Sequence, residues 1–290
     1  MSPEGVHAFH TDLLKENGLV IEGRIQGWSR RPARWMRPRR YRGGVGVDPR
    51  LAYAVADIGR RYSMEDEHVL QVESVEPIRV LGAVFDGHGG ADVARLAKVR
   101  LPELFLEALP SGPEDALRTA FAGIHRESEG LHGGAAAAAF YLDDSRVTVA
   151  NAGDSQIVAV SEDRATTLTE EHRITNEMEL ARVVEAGATI WGPYVCLPSG
   201  AGIMPTRTLG DHEFASVGVI PEPVVSSHIL LPGFLVAACD GMWEVIGAEE
   251  LPSLLKGATS AENAARSLHH EALHARNTED NLTILVVKIS

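Results

Sequence analysis

IRVLGAVFDGHGG, residues 78–90, decides how the rest of the chain is read. Its apolar run, almost unbroken from Ile78 to Phe85, predicts a strand buried on both faces, since a strand with one wet face alternates instead. The run ends in Asp86, Gly87 and His88, followed by Gly89 and Gly90. A carboxylate and an imidazole therefore stand where a strand leaves the core, on a backbone with few side chains to block close approach. Taken alone, Asp-Gly after a strand is an ordinary turn dipeptide, but the pattern repeats. VTVANAGDS (147–155) runs into Gly153 and Asp154, FLVAACDG (234–241) ends in Asp240 and Gly241, and Asp280 with Asn281 leads into the last strand, LTILVVKI (282–289). Acids at four strand edges, spread over most of the chain, converge in a fold where those strands lie side by side.

A chain of 290 residues buries a large core. No break in composition interrupts residues 50–290, so one catalytic-sized domain, 49–290, is expected behind an extension, 1–48. Within the extension, RIQGWSRRPARWMRPRRYR (24–42) carries eight arginines and no acid, interleaved with Trp28, Trp35 and Tyr41. Such a segment can dock a phosphorylated partner, an acidic surface or RNA; its Pro and Gly content equally fits a solvated arm or one folded back on the acidic body. The net charge of −13 argues against nucleic-acid binding by the protein as a whole and suits a site that gathers cations. Two cysteines, Cys196 and Cys239, are too few for a disulfide framework. With no long apolar run and no signal-type N-terminus, the expectation is a soluble cytoplasmic protein without a transmembrane segment.

Along the body, LAYAVADI (51–58) reads as a strand and GRRYSMED follows at 59–66. Helical spacing predicts helices over 91–99 and 102–109, broken at Pro102, and over 113–130, with Pro at its start. Residues 135–139, all alanine, are read as strand because they continue into FYL, a turn at Asp143-Asp144 and the Val147 strand. A helix is expected over 175–186 with Gly187 just past its end, an irregular flap over 188–205, strands at 224–229 and 234–239, and helices at 248–256 and 261–275. Strands grouped in hairpins and helices grouped elsewhere indicate an α+β fold.

Several carboxylates without a thiolate make an oxygen-ligand site, which selects Mg²⁺ or Mn²⁺ over zinc. Two such ions about 3.5–4 Å apart can activate water and clamp a phosphoryl group, with Asp86 bridging them and the next carbonyl reaching the second. Arg60 and Arg61, just before Met64-Glu65-Asp66, offer guanidinium groups that grip phosphate bidentately. His88 is placed to protonate a leaving alcohol.

RRYSMED (60–66), VFDGHGG (84–90), NAGDS (151–155), EEHR (170–173) with its following helix to Gly187, RTLGD (207–211), ACDGMWEV (238–245) and EDNLTILVV (279–287) appear in this order. Together they resemble the metal-dependent Ser/Thr protein phosphatases of type 2C, over about Leu51 to Ile289. The resemblance implies a four-layer α-β-β-α sandwich, two antiparallel sheets face to face with helices outside, and a binuclear Mg²⁺ or Mn²⁺ site, with a weaker third ion. It implies a monomer acting on phosphorylated Ser/Thr proteins. Carried onto this sequence, Arg61 binds phosphate, Glu65 and Asp66 hold water at the metals, Asp86 bridges, Gly87 gives a carbonyl ligand and His88 is the general acid. Asp240 and Asp280 complete the first metal's ligands, and Asp154 and Glu244 belong to the third. The chain also departs from the family pattern. Ala135 and Ala136 stand in place of Ser-Thr, Glu244 in place of Asp, and Gln156 in place of Arg after Gly-Asp-Ser.

Two other readings compete. A pseudophosphatase that binds phosphoproteins without turnover would have no use for Asp86, Asp240 and Asp280 together. A nuclease is disfavoured by the acidic body. Cysteine-based phosphatases need an arginine six residues after the thiolate, where this chain has Gly202 and Val245, and the Gly-Asn-His-Glu segment of calcineurin-like enzymes is absent.

Overall fold

The computed structural model describes residues 48–290. The arginine-rich extension, and each expectation attached to it, lies outside the described residues. Strands β1 (Ala52–Asp57), β14 (Leu282–Ile289), β13 (Gly233–Ala238), β6 (Gln156–Val160) and β7 (Ala165–Thr167) form one sheet in that order. The second runs β12 (Val224–Ile229), β5 (Arg146–Ala152), β4 (Gly134–Asp143), β3 (Ile78–His88) and β2 (Glu67–Val75), with β11 (Leu209–Gly210) also on β4. Neighbouring strands are antiparallel throughout.

The apolar run of β3 is used on both faces, as its composition predicts. Val80 and Val84 point between the sheets, into a cluster with Phe140, Leu142, Leu235, Leu285 and Val287. Leu81, Ala83 and Phe85 point the other way, under helices α1 (Asp92–Ala108) and α2 (Pro113–Glu127), where Leu101, Phe105, Leu117 and Phe121 meet them. On the far side, α6 (Ala261–His270) sets Ala264 and Leu268 over Val236, Ala238, Ile284 and Val286 of the first sheet. The result is the α-β-β-α sandwich expected of the fold.

Local differences from the sequence reading have packing causes. Helix α1 runs through Pro102 without a break. An internal proline costs about 3 kcal/mol, but Ala97, Leu101 and Phe105, spaced by four, are all fully buried against the second sheet; two large side chains recover about 1.5–3 kcal/mol each. Residues 188–205 are not irregular: β8 (Thr189–Trp191), β9 (Tyr194–Cys196) and β10 (Gly202–Ile203) form a small antiparallel sheet. Gly192, Pro193, Pro198 and Gly200 occupy the turns between the strands, and Val195 and Leu197 pack with Val183, Phe214 and Val217 in a separate apolar cluster. Helix α3 (Glu177–Glu185) begins where the Asn176 side chain accepts from the N–H groups of Met178 and Glu179. After β13 come the short helix α4 (Asp240–Trp243), a 3₁₀ turn Ala248–Glu250 and α5 (Leu251–Leu254), so the helix expected over 248–256 ends early. Strands β2 and β6 were not foreseen. No helix among the described residues is long and apolar enough to cross a membrane.

Candidate active site

The acids singled out in the sequence arrive at one end of the sandwich from five places: the segment before β2, the end of β3, the β5–β6 turn, helix α4 and the start of β14. Asp86, Gly87 and His88 do not leave the sheet; they continue β3, opposite Ala136, Ala135 and Gly134 of β4. Small residues on β4 keep this end of the sheet open above the pair. Asp240 is the first residue of α4, directly after β13, and Asp280 precedes β14. Asp154 lies in the turn between β5 and β6 and is buried. Glu65 and Asp66 precede β2. A cleft of about 850 Å³ is lined by Arg61, Glu65, Asp86, Asp154, Asp240 and Asp280, and by Gly87, His88 and Glu244 as well. Buried Asp66 stands beside Asp86: their carboxylates and Cys239 Sγ lie within 4.8 Å of one another.

Two glycines are required by close approach. A Cβ at Gly87 would overlap the Glu65 carbonyl oxygen, and one at Gly153, where φ is +120°, would overlap the Ala136 side chain. Ala136 therefore has a packing role here, and neither it nor Ala135 brings a hydroxyl to the cleft. Gln156 opens β6, opposite Ala238.

Asn281 holds the front of the site together. Its amide donates to the carbonyls of Ile58 (2.9 Å) and Ser63 (3.0 Å), and its oxygen accepts from Glu65 N–H (2.8 Å). The loop carrying Arg61 and Glu65 is thereby tied to the start of β14. Arg61 Nη2 bonds Asp280 Oδ2, whereas Arg60 turns to Asn277 (3.3 Å) and Glu279 (3.6 Å) and does not line the cleft. Of the two arginines proposed from sequence, only Arg61 reaches the site.

Electrostatics mark the floor. Burial, reinforced by the charges of Asp240, Asp66 and Asp154, pushes the Asp86 carboxyl well above the usual carboxylate range. Burial also raises Asp66 to about 6, and burial with the Asp154 charge raises Asp240 to about 7. Like charges crowded out of water in this way call for a cation. The donors fit a hard one. Cys239 Sγ donates to the Asn281 carbonyl (3.4 Å) and accepts from Thr283 N–H (3.1 Å), and burial pushes its thiol well up, so sulfur is not offered as thiolate. What remains is carboxylate oxygen, the set that suits Mg²⁺ or Mn²⁺.

Some residues around the cleft were assigned no role in the sequence reading. Asp211, the last residue of RTLGD, accepts from His88 Nε2 at 2.6 Å and from Thr208 Oγ1 at 2.8 Å. Burial works against a charge on His88, but the bond to Asp211 and its charge outweigh burial, and the imidazole is raised above its ordinary value. Arg173, from EEHR, bonds Asp154 and Asp240. Both residues lie in quoted segments, yet sequence spacing carries no signal of these pairings: His88 and Asp211 are 123 positions apart.

The protein phosphatase 2C family model matches residues 55–282, from the first strand to the last. Probable protein phosphatase 2C 67 of Oryza sativa subsp. japonica is 32% identical over 283 residues, covering 84% of this chain and 76% of that protein. Probable protein phosphatase 2C 59 of the same organism is 30% identical over 258 residues, covering 85% and 78%. Among solved structures, a serine-threonine phosphatase 2C from Toxoplasma gondii superposes with a TM-score of 0.70 at 20% identity, covering 82% of this chain and 94% of that one. A C. elegans sex determining protein gives 0.71 at 23%, covering 86% of this chain and 65% of that one; at these identities the likeness is one of fold. With the family model covering residues 55–282, which include every residue named as lining the cleft, this chain belongs to the protein phosphatase 2C family of protein-serine/threonine phosphatases.

Proposed function

We propose that the cleft hydrolyses phosphoserine and phosphothreonine esters on proteins at a binuclear Mg²⁺ or Mn²⁺ centre, with residues 49–290 as the catalytic domain. The observation that carries this is the meeting of Asp66, Asp86, Asp240 and Asp280 on separate elements, with Asp86 pushed well up by burial and its neighbours' charges, next to a guanidinium at the cleft wall. The bound ions supply charge neutralisation and a nucleophilic water at neutral pH. Asp86 would be the ligand shared by the ions, and Asp240, Asp280 and the Gly87 carbonyl would supply the other ligands. Glu65 and Asp66 accept hydrogen bonds from water at the floor; Thr283 Oγ1 fixes Asp66 by donating to its Oδ2 at 2.7 Å, and Ser63 Oγ fixes Glu65 at 2.8 Å. Arg61, which rests on Asp280, swings its fork to the phosphoryl oxygens when substrate enters, exchanging one anion for another. His88 Nε2 is engaged by Asp211, so the proton it gives the leaving alkoxide is the one on Nδ1.

The test is hydrolysis of a phosphothreonine peptide by the full chain with Mn²⁺, and again after chelation. Turnover that appears with metal and disappears with chelator is expected. Peptide binding without turnover in either condition would replace the reading with a pseudophosphatase, the outcome that Ala135, Ala136 and Glu244 would then explain.

A further inference from the structure

Arg173 meets more acids than any ordinary ion pair supplies. Its Nε lies 2.6 Å from Asp154 Oδ2, and its Nη2 lies 2.9 Å from Asp240 Oδ2 and 3.4 Å from Glu244 Oε1. Glu171 adds a further carboxylate at 3.5 Å. The side chain is only 15% exposed, so these contacts are poorly screened.

The backbone fixes the guanidinium where it is. His172 N–H donates to the Gly153 carbonyl (3.0 Å), Gly153 N–H donates back to the buried His172 Nδ1 (3.2 Å), and Thr206 N–H donates to the His172 carbonyl (2.8 Å). Arg173 itself forms a β-bridge with Pro205. The Asn151 amide donates to the Glu170 carbonyl at 2.5 Å. The segment 170–173 is thus laced to 151–154 on one side and to the end of the 188–205 sheet on the other. A planar guanidinium held this way directs several donors in fixed directions, which a hydrated ion or a lysine does not do.

Asp154 and Glu244 are the residues that the resemblance assigns to a third ion, and Arg173 meets both of them together with Asp240. We infer that Arg173 is a built-in cation that occupies this position, so that the chain takes up two exchangeable divalent ions and no third. The inference rests on the two-ion reading above and deepens it: the outer carboxylates are neutralised by the polypeptide itself. Glu244, one methylene longer than aspartate, reaches the guanidinium from the helix end, which gives this departure from the family pattern a use.

Mn²⁺ binding to the full-length chain, counted by electron paramagnetic resonance of free Mn²⁺ during titration, tests it without reference to activity. The parent is expected to bind two ions, and Asp154→Asn also two. Arg173→Met and Arg173→Gln, checked for folding by circular dichroism, are expected to bind a third, weaker ion, which Asp154→Asn in the Arg173→Met background removes. Three ions in the parent, loss of an ion on Asp154→Asn alone, or folded Arg173 variants that stay at two would each overturn the inference. Should neither Arg173 variant fold, the counts for the parent and Asp154→Asn still decide it. Fewer than two ions in the parent is a separate result, the failure of the binuclear reading itself.

Discussion

Two groups of buried acids in this protein are treated in opposite ways. At the cleft floor, Asp66, Asp86 and Asp240 are crowded together and their carboxyls are pushed up. Glu179 of α3 is also buried, yet Arg207 bonds it at 2.7 Å, Arg182 at 2.5 Å and Thr206 at 2.7 Å. Burial alone would raise Glu179, but these partners outweigh burial and hold it at about 2. At the floor the chain sets one guanidinium, that of Arg173, against Asp240 and leaves Asp86 facing the Asp66 charge, whereas charge at Glu179 is fully matched. The first arrangement stores a demand for an external cation; the second fastens α3 to the 205–222 segment.

The contrast can be broken most directly at Asp86. Asp86→Asn is expected to abolish Mn²⁺-dependent turnover while raising the melting temperature of chelator-treated protein, because a repelling charge is removed; a lower melting temperature would contradict the electrostatic account. Glu179→Ala should do the reverse, leaving Mn²⁺ affinity nearly unchanged but destabilising the fold by about 3–5 kcal/mol, since two partly buried arginines lose their partner; urea unfolding measures it. His88→Ala should slow phosphothreonine-peptide hydrolysis by about 10²-fold and p-nitrophenyl phosphate less, because nitrophenolate leaves without a proton. Equal losses would remove His88 as the acid.

The smallest effect is in the pH dependence of stability. For Asp66 and Asp240 the folded values of about 6 and about 7 exceed the ordinary 3.8, so the fold prefers their protonated forms. Their stabilising contribution is present at acid pH and is lost as pH rises through about 7. Glu179, depressed from 4.5 to about 2, contributes fully above pH 4.5 and loses its share as pH falls towards 2. Metal-free protein should therefore melt higher at pH 5 than at pH 8, then weaken below pH 4.5. Saturating Mn²⁺ should flatten the upper part and leave the acid limb in place.

Much of this was legible in the sequence where a local pattern reports a local environment. Consecutive apolar residues in 78–85 disclosed a strand packed on both faces, and acids at strand edges disclosed the floor. Pro102 misled because the cost of a proline is local while the burial of Leu101 and Phe105 that offsets it is tertiary. Gly and Pro in 188–205 suggested irregularity because turns are written in those residues, whereas the short strands between them draw their stability from Phe214 and Val217. The pairings of Arg173 with Asp240, 67 positions away, and of His88 with Asp211 had no local signature at all, since they arise only when strands from distant parts of the chain share an edge.

Asn281 has a consequence for how the enzyme is made. β14 lies between β1 and β13, and its leading residues supply both Asp280 and the amide that pins the carbonyls of Ile58 and Ser63. Without this strand the loop carrying Arg61 and Glu65 loses its tie, and the cleft loses the Asp280 carboxylate from its wall. The front of the cleft is therefore closed by bonds between residues 223 and 218 positions apart, and it forms only once β14 has inserted between β1 and β13.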